Sequence, residues 1–292
     1  MEQLKVLVAI TETDSMQQAA NQLFKSQSAL SHSIKQLESN LGLTLFTRDK
    51  YRLTLSENGQ MIYQKAKKAL YQITELEQFS QHIIRGNEQQ VTVVIEAAFD
   101  LKHLKRPLEA IQSDYPMTQI TLRQEYLSGA ITRLLNGEAD IAITALPMEF
   151  VENRNELHST IIGKGVMINV ASKNMLSKYP NLTSIEELIN ENQIVVKDTG
   201  TGTNENDFNT QTAQRKWYVN SFGSKLNLIE QGMGWGMLPA HMIANMLDEG
   251  ILKEIIVKDS DSKIHFPYFL VKSKKATLGP VSQKLWEKLN DN

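Results

Sequence analysis

The chain contains no cysteine, which excludes disulfides and thiolate metal sites and fits a reducing compartment. Nor does it contain an apolar run approaching the roughly 20 residues that span a bilayer, so no membrane partner is expected. The opening MEQLKVLVAITETD lacks the basic region, sustained apolar core and small-residue cleavage site of an export signal, and a cytoplasmic location is expected. An excess of one charge is missing too. With 31 Lys and Arg against 33 Asp and Glu, the formal net charge is -2, without the bulk basic signal of many nucleic-acid-binding domains. The histidines, His32, His82, His103, His158, His241 and His265, show no metal-ligand spacing, so no metal and no cofactor are expected. There is no Gly-x-Ser-x-Gly elbow and no phosphate-binding Gly-Lys-Ser/Thr loop. Gly232-Met-Gly-Trp-Gly236 superficially suggests a dinucleotide turn, but it follows a helix-like stretch rather than a strand. The chain does not read as an enzyme.

What is present is length and pattern. At 292 residues and 41% hydrophobic content, the chain can build two or three packed modules, since a single core seldom grows beyond about 250 to 300 residues. Residues 16–41, MQQAANQLFKSQSALSHSIKQLESNL, read as two short helices with a polar break. Ala19, Ala20 and Leu23 share one face of the first, and after Lys25 and Ser26 a second apolar stripe runs through Ala29, Ile34, Leu37 and Leu41. Gln27, Ser28, Ser31, His32 and Lys35 lie away from that stripe. This is a helix-turn-helix pattern whose second helix offers donors to base edges and phosphates, as a helix in a major groove must. Residues 2–12 read as a preceding helix, with Asp14 or Ser15 as the cap of the next. After Gly42, LTLFTRDKYRLTLSENG reads as two short strands around a charged tip, a wing placed for the neighbouring minor groove. Lys25, Lys35, Arg48, Lys50 and Arg52 fall where such a unit touches phosphates, although scattered charges also describe a solvated face.

Residues 56–86 read as one long helix. Ile62, Ala66, Ala69, Ile73, Leu76 and Ile83 form a coiled-coil type seam interrupted at Ser80. The expectation is pairing with a second copy, the alternative being a helix packed on its own domain. A dimer suits two half-sites about one helical turn, or a multiple, apart. RGNEQQ (85–90) then reads as a hinge, after which strands and helices alternate as in a mostly parallel sheet covered by helices. Strands are expected at 91–97, 118–126, 139–146, 166–173, 193–198, 215–221 and 266–274, and helices at 101–116, 128–138, 184–190, 224–233 and 279–291. A second lobe starts near Gly163 and the chain crosses back around 265–269, which makes a hinged cleft. Ligands in such sheets sit beyond strand carboxyl ends. That rule points to Ala98, Phe99 and Asp100, to Ser128 and Gly129, to Thr144, and to Thr201 and Thr203 in the TGTGT loop. Asp100 and Ser128 are equally readable as caps, and TGTGT as a turn. A carboxylate from Asp100 at the cleft mouth disfavours a simple dicarboxylate ligand, unless it is turned toward its own helix.

Leu4, Ala9, Ala19-Ala20, Leu23, Ser26-Gln27, Ser31, Ile34, Leu37-Glu38, Leu41-Gly42, Leu45-Phe46, Arg48, Leu53-Thr54 and Gly59, in this order and spacing, resemble the winged helix-turn-helix of LysR-type transcriptional regulators. Ser28 stands where that family commonly has proline, and His32 where it commonly has arginine. Leu134-Leu135, Gly137, Ala139-Asp140 and Ile141 to Ile143 resemble a stretch of the family's effector domain, of the type-two periplasmic-binding-protein fold, and residues 234–255 its closing segment. The resemblance implies a winged helix-turn-helix over 1–58, a linker and dimerisation helix with hinge over 59–90, and an effector-binding domain over 91–292. Lobe I of that domain takes about 91–162 and 268–292, and lobe II about 163–267. It implies a homo-oligomeric, dimeric or tetrameric bacterial regulator that binds double-stranded operator DNA through Ser26, Gln27, Ser28, Ser31, His32, Lys35, Arg48, Lys50 and Arg52. A small-molecule effector in the cleft modulates that binding, and the transcription machinery is a further candidate partner. The competing reading is a solute-binding dimeric module with no DNA role.

Overall fold

The computed structural model describes residues 1–49, 52–151, 153–201 and 215–291. The chain forms two compact units, Met1–Arg85 and Gly86–Asn292.

In the first unit, helices α1 (Glu2–Glu12), α2 (Met16–Gln22) and α3 (Gln27–Leu41) precede an antiparallel pair, β1 (Phe46–Asp49) and β2 (Arg52–Leu55), and the long α4 (Glu57–Ile84). Serine hydroxyls start three of these helices by accepting an otherwise unpaired first-turn N–H. Ser15 accepts from Gln18 N at 3.2 Å, Ser26 from Ala29 N at 3.2 Å and Ser56 from Gly59 N at 2.9 Å. Gly42, left-handed at φ 66°, ends α3. Val6, Leu7, Ile10, Ala19, Ala20, Leu30, Ile34, Leu37, Leu45 and Ala66 share one core. The buried stripe of α3 is therefore Leu30, Ile34 and Leu37, which corrects the expected register. Ala29 lies outward in the first turn, and Leu41, beside the turn at Gly42, is 42% exposed. The wing is tied to α3 by Glu38, whose Oε1 accepts from Leu45 N at 2.7 Å and Phe46 N at 3.1 Å.

The start of α4 packs on its own unit. Ala66 belongs to the core and Ile62 lies against it, while Glu12 of α1 accepts from Tyr63 Oη at 2.8 Å and pairs with Lys67 Nζ at 2.8 Å. The beginning of the expected seam thus has an intrachain partner. Further along, Leu76 is 64% exposed and Ile83 is also exposed.

Among the described residues, the second unit holds one nine-stranded mixed sheet with helices around it. Its strands are β3 (Gln90–Glu96), β4 (Gln119–Glu125), β5 (Ile141–Thr144), β6 (Leu157–Ser172), β7 (Asn192–Val196), β8 (Arg215–Val219), β9 (Trp235–Pro239), β10 (Leu252–Glu254) and β11 (Lys263–Ser273), in the order β4-β3-β5-β11-β6-β9-β7-β8 with β10 on β6. Around them lie α5 (Lys105–Asp114), α6 (Gly129–Leu135), α7 (Lys173–Leu176), α8 (Phe222–Glu230), α9 (Ala240–Asp248) and α10 (Pro280–Asn290). β3 runs parallel to β4 and β5, and β7 parallel to β8 and β9. The middle is antiparallel, contrary to the mostly parallel expectation, because β6 and β11 pair with each other and with their outer neighbours in that sense. These two long strands run through both lobes, and their register shifts between Tyr268 and Phe269. Residues 184–190 form no α-helix. Ser184 and Glu187 make a capping box on a short 3-10 turn, Ile185–Leu188. β3 is buried on both faces, with Val91, Val93 and Ile95 in one core and Val94 in another, which explains its unbroken apolar run.

Candidate nucleic-acid interface and effector cleft

On α3, Gln27, Ser28, Ser31, His32 and Lys35 are all exposed, opposite the buried Leu30, Ile34 and Leu37. The face is continuous over two turns and carries amides, hydroxyls, an imidazole and one ammonium. Ser26 does structural work as the cap of α3, and its Oγ lies 2.9 Å from Ser28 Oγ. Gln27 Nε2 donates to Gln17 Oε1 of α2. Two carboxylates of this unit, on α1, have lysine partners. Glu2 pairs with Lys25 at 2.8 Å and Glu12 with Lys67, and hydrogen bonds from those lysines hold both carboxyls below the ordinary range. Arg48 stands in β1 opposite Leu53, and Arg52 begins β2. Lys50 lies outside the described residues.

In the α/β unit the expected ligand groups have other partners. Ala98 packs in the core of lobe II, and Phe99 in that of lobe I, edge-on to Tyr268 with centroids 4.9 Å apart. Thr144 is fully buried and its Oγ1 accepts from Leu146 N at 3.0 Å, a turn-closing bond. Asp100 is turned toward its own 3-10 turn, accepting from Lys102 N at 3.1 Å and pairing with Lys102 Nζ at 2.6 Å. Burial pushes its carboxyl up, but the two Lys102 hydrogen bonds outweigh that and hold it below the ordinary value. The orientation removes the ground for expecting the cleft to reject acids.

Ser128 and Gly129 meet the segment after β7 in a strap between the lobes. Asp198 Oδ1 accepts from Ser128 N at 3.1 Å and Gly200 N at 2.8 Å, while Oδ2 accepts from Ser128 Oγ at 2.7 Å. Tyr126 N donates to Thr199 Oγ1 at 2.9 Å, and Thr201 N to Thr132 Oγ1 at 3.4 Å. Thr201 itself is exposed, and Thr203 lies outside the described residues. The approach is too close for side chains at the glycines. A Cβ on Gly200 would stand 2.5 Å from Ser128 Oγ and 2.7 Å from Gly129 N.

Two buried charged residues and part of the cleft lining escaped the sequence reading. Glu96, at the end of β3, is buried and its carboxyl is pushed by burial up to about 8, so it holds its proton at neutral pH. Lys225 of α8 is buried against Gly236 of β9, and burial lowers its amine to about 7. A cleft of about 290 Å³ opens beside Phe99 and Asp100, lined also by Lys102, His103, Lys164, His241 and Tyr268. The His241 imidazole is held below its ordinary value chiefly by burial. A charged residue ending an apolar strand was the available signal for Glu96. Lys102, His103, Lys164, His241 and Tyr268 had none, since they lie on four separate stretches of the chain that the fold brings together.

A winged helix-turn-helix joined to a two-lobed α/β unit with a cleft defines a class of protein: a regulator that binds DNA and a small molecule through separate modules. The model for the "Bacterial regulatory helix-turn-helix protein, lysR family" matches residues 1–60, and that for the "LysR substrate binding domain" matches residues 85–292. The chain therefore belongs to the LysR family of transcriptional regulators, which combine DNA binding with an effector-binding domain and are not enzymes. It is 26% identical over 287 residues to the HTH-type transcriptional regulator AceR of Acinetobacter baumannii, covering 97% of this chain and 94% of that one. In fold it is similar to CrgA, a LysR-type transcriptional regulator from Neisseria meningitidis (TM-score 0.52, 22% identity, 100% and 98% coverage). It is also similar to the Vibrio cholerae virulence activator AphB (TM-score 0.52, 19% identity, 99% and 98% coverage). The reading as a solute-binding module with no DNA role is set aside by this membership. Among the described residues, no helix is long and apolar enough to cross a membrane.

Proposed function

We propose that α3 is the recognition helix of this regulator, with Gln27, Ser28, Ser31 and His32 meeting base edges and Lys35, Arg48, Lys50 and Arg52 meeting phosphates or the minor groove. One observation carries the reading: five polar side chains are exposed side by side on a helix whose opposite face is buried. The helix turn thereby presents sequence-reading groups while the core holds it rigid. The DNA-binding module ends near residue 58, the linker runs to about residue 90 and the effector module fills the rest. Self-association uses Ala69, Ile73, Leu76 and Ile83 on the later turns of α4, where Tyr71 and Ile84 are exposed as well. The working location is the cytoplasm, and the transcription machinery is the downstream partner. A gel shift with full-length protein and the DNA upstream of its gene tests the reading. Gln27→Ala should weaken the complex by about 1–3 kcal/mol, and equal affinity for the variant would refute the assignment.

The effector enters between the lobes at the cleft beside Phe99. Lys164 supplies charge, His103 and His241 supply ring nitrogens, and Phe99 and Tyr268 supply apolar wall. With Asp100 already matched by Lys102, this lining suits a small organic acid with an apolar body. Ligand there shifts the balance between strapped and open lobes, and so the geometry offered to DNA. Calorimetric titration with aromatic and aliphatic monocarboxylates, and with the matching amines, tests the choice. Binding of amines alone would overturn it.

A further inference from the structure

The amide of Gln27 is one end of a chain of side chains that crosses the helix turn. Its Nε2 donates to Gln17 Oε1, and Gln17 Nε2 donates in turn to Asn21 Oδ1 at 3.1 Å, one helical turn along α2. Gln17 is the second residue of α2 and Gln27 the first of α3, so the chain joins the exposed start of one helix to that of the next. All three side chains are exposed and contribute nothing to the core. A ladder of amides on a solvent-facing surface, aimed at the leading end of a recognition helix, orders a group that water would otherwise leave free to rotate.

We infer that Gln17 is a positioning residue that presents Gln27 to read adenine in an A·T pair. The inference rests on α3 being the recognition helix. Gln27 spends one N–H on Gln17 and keeps the second N–H and Oε1. Those two groups match the adenine edge in the major groove, where N7 accepts and N6–H donates. Guanine offers O6 and N7, two acceptors, and leaves Oε1 facing an oxygen. Thymine offers a lone acceptor and cytosine a lone donor. In this arrangement Gln17 Nε2 donates to Asn21 and Gln17 Oε1 is left to accept, so Gln27 stands with nitrogen toward α2 and oxygen outward.

The test is selection of a randomised DNA duplex pool with full-length protein, wild type and variants. Wild type should enrich a site with an adenine whose preference vanishes in Gln27→Ala, and 7-deazaadenine there should weaken binding at least about 5-fold. Gln17→Leu should cut the preference for adenine at that position several-fold, with thermal midpoint and salt slope unchanged. Gln17→Glu keeps an acceptor for Gln27 and should retain the preference while binding all sequences more weakly through charge repulsion. Undiminished adenine preference in Gln17→Leu, or a preference for guanine there, overturns the inference and leaves α3 as the recognition helix. A pool with no enriched sequence at all overturns the recognition-helix reading and this pairing with it.

Discussion

On α3, Gln27, Ser31, His32 and Lys35 face solvent, whereas in the α/β unit Ser128 Oγ donates to Asp198, Thr199 Oγ1 accepts from Tyr126 N and Thr132 Oγ1 accepts from Thr201 N between the lobes. The contrast follows from where each surface comes from. A recognition face is made by consecutive turns of one helix, and its polar side chains point outward because the buried stripe opposite leaves them nowhere else to go. A cleft is made by strand ends brought together by topology. Its polar groups face each other across the gap and pair directly. The first unit therefore presents its chemistry ready-made, and the second must break bonds of its own before a ligand can use Ser128 or Asp198.

The largest effect should separate core from surface within one helix. Leu30→Ala empties a fully buried site and should destabilise the first unit by about 2–5 kcal/mol. Gln27→Ala, on the exposed side, should change stability by no more than about 0.5 kcal/mol. Denaturant unfolding of the two variants reads the difference, and comparable losses would break the distinction between faces.

The second unit should show a pH dependence that the first lacks. Glu96, raised to about 8, is protonated when folded and ionised when unfolded between roughly pH 4.5 and 8, so stability falls as pH rises through that window. Lys225, lowered to about 7, is neutral when folded and charged when unfolded between about 7 and 10.5, so its contribution grows with pH there. Each limb has a slope of up to about 1.4 kcal/mol per pH unit. Stability should pass through a minimum near pH 7–8, with Glu96→Gln removing the acid limb and Lys225→Met the alkaline one. Monotonic unfolding midpoints across this range would contradict both assignments.

The strap gives a smaller change. Asp198→Ala leaves Ser128 N and Oγ without their acceptor and should cost about 1–3 kcal/mol. Hydrogen exchange of the amides over 126–132 should accelerate, and protection equal to wild type would show that the strap does not hold the lobes. Smallest of all, Arg52→Ala should weaken DNA binding at every sequence and lower the magnitude of the log K against log salt slope by about 1. An intact slope removes Arg52 from the interface.

The same contrast explains what could be read from the chain. The cap at Ser15, the outward set on α3 and the length of α4 are local, and the spacing of residues carried them. Within α3, however, Ala29 and Leu41 were misplaced, because an apolar residue in the first or last turn satisfies helical spacing without reaching the core. The seam of α4 was only half visible, since periodicity shows an apolar stripe and not what covers it. Ile62 and Ala66 meet their own unit. In the second unit the alternation of elements was legible and the direction of β6 and β11 was not, because direction depends on partners far along the chain. Thr144 and Asp100 carry the residue types of a ligand site, but here they close local turns.

The most direct measurement is a hydroxyl-radical footprint of the full-length protein on the DNA upstream of its own gene, at two salt concentrations, with wild type and Gln27→Ala side by side. Two half-sites about one helical turn, or a multiple, apart should be protected. That protection should fade steeply with salt and be lost in the variant at concentrations that saturate wild type. Protection by Gln27→Ala identical to wild type, or none by wild type at low salt, would contradict the claim that the outward face of α3 reads DNA.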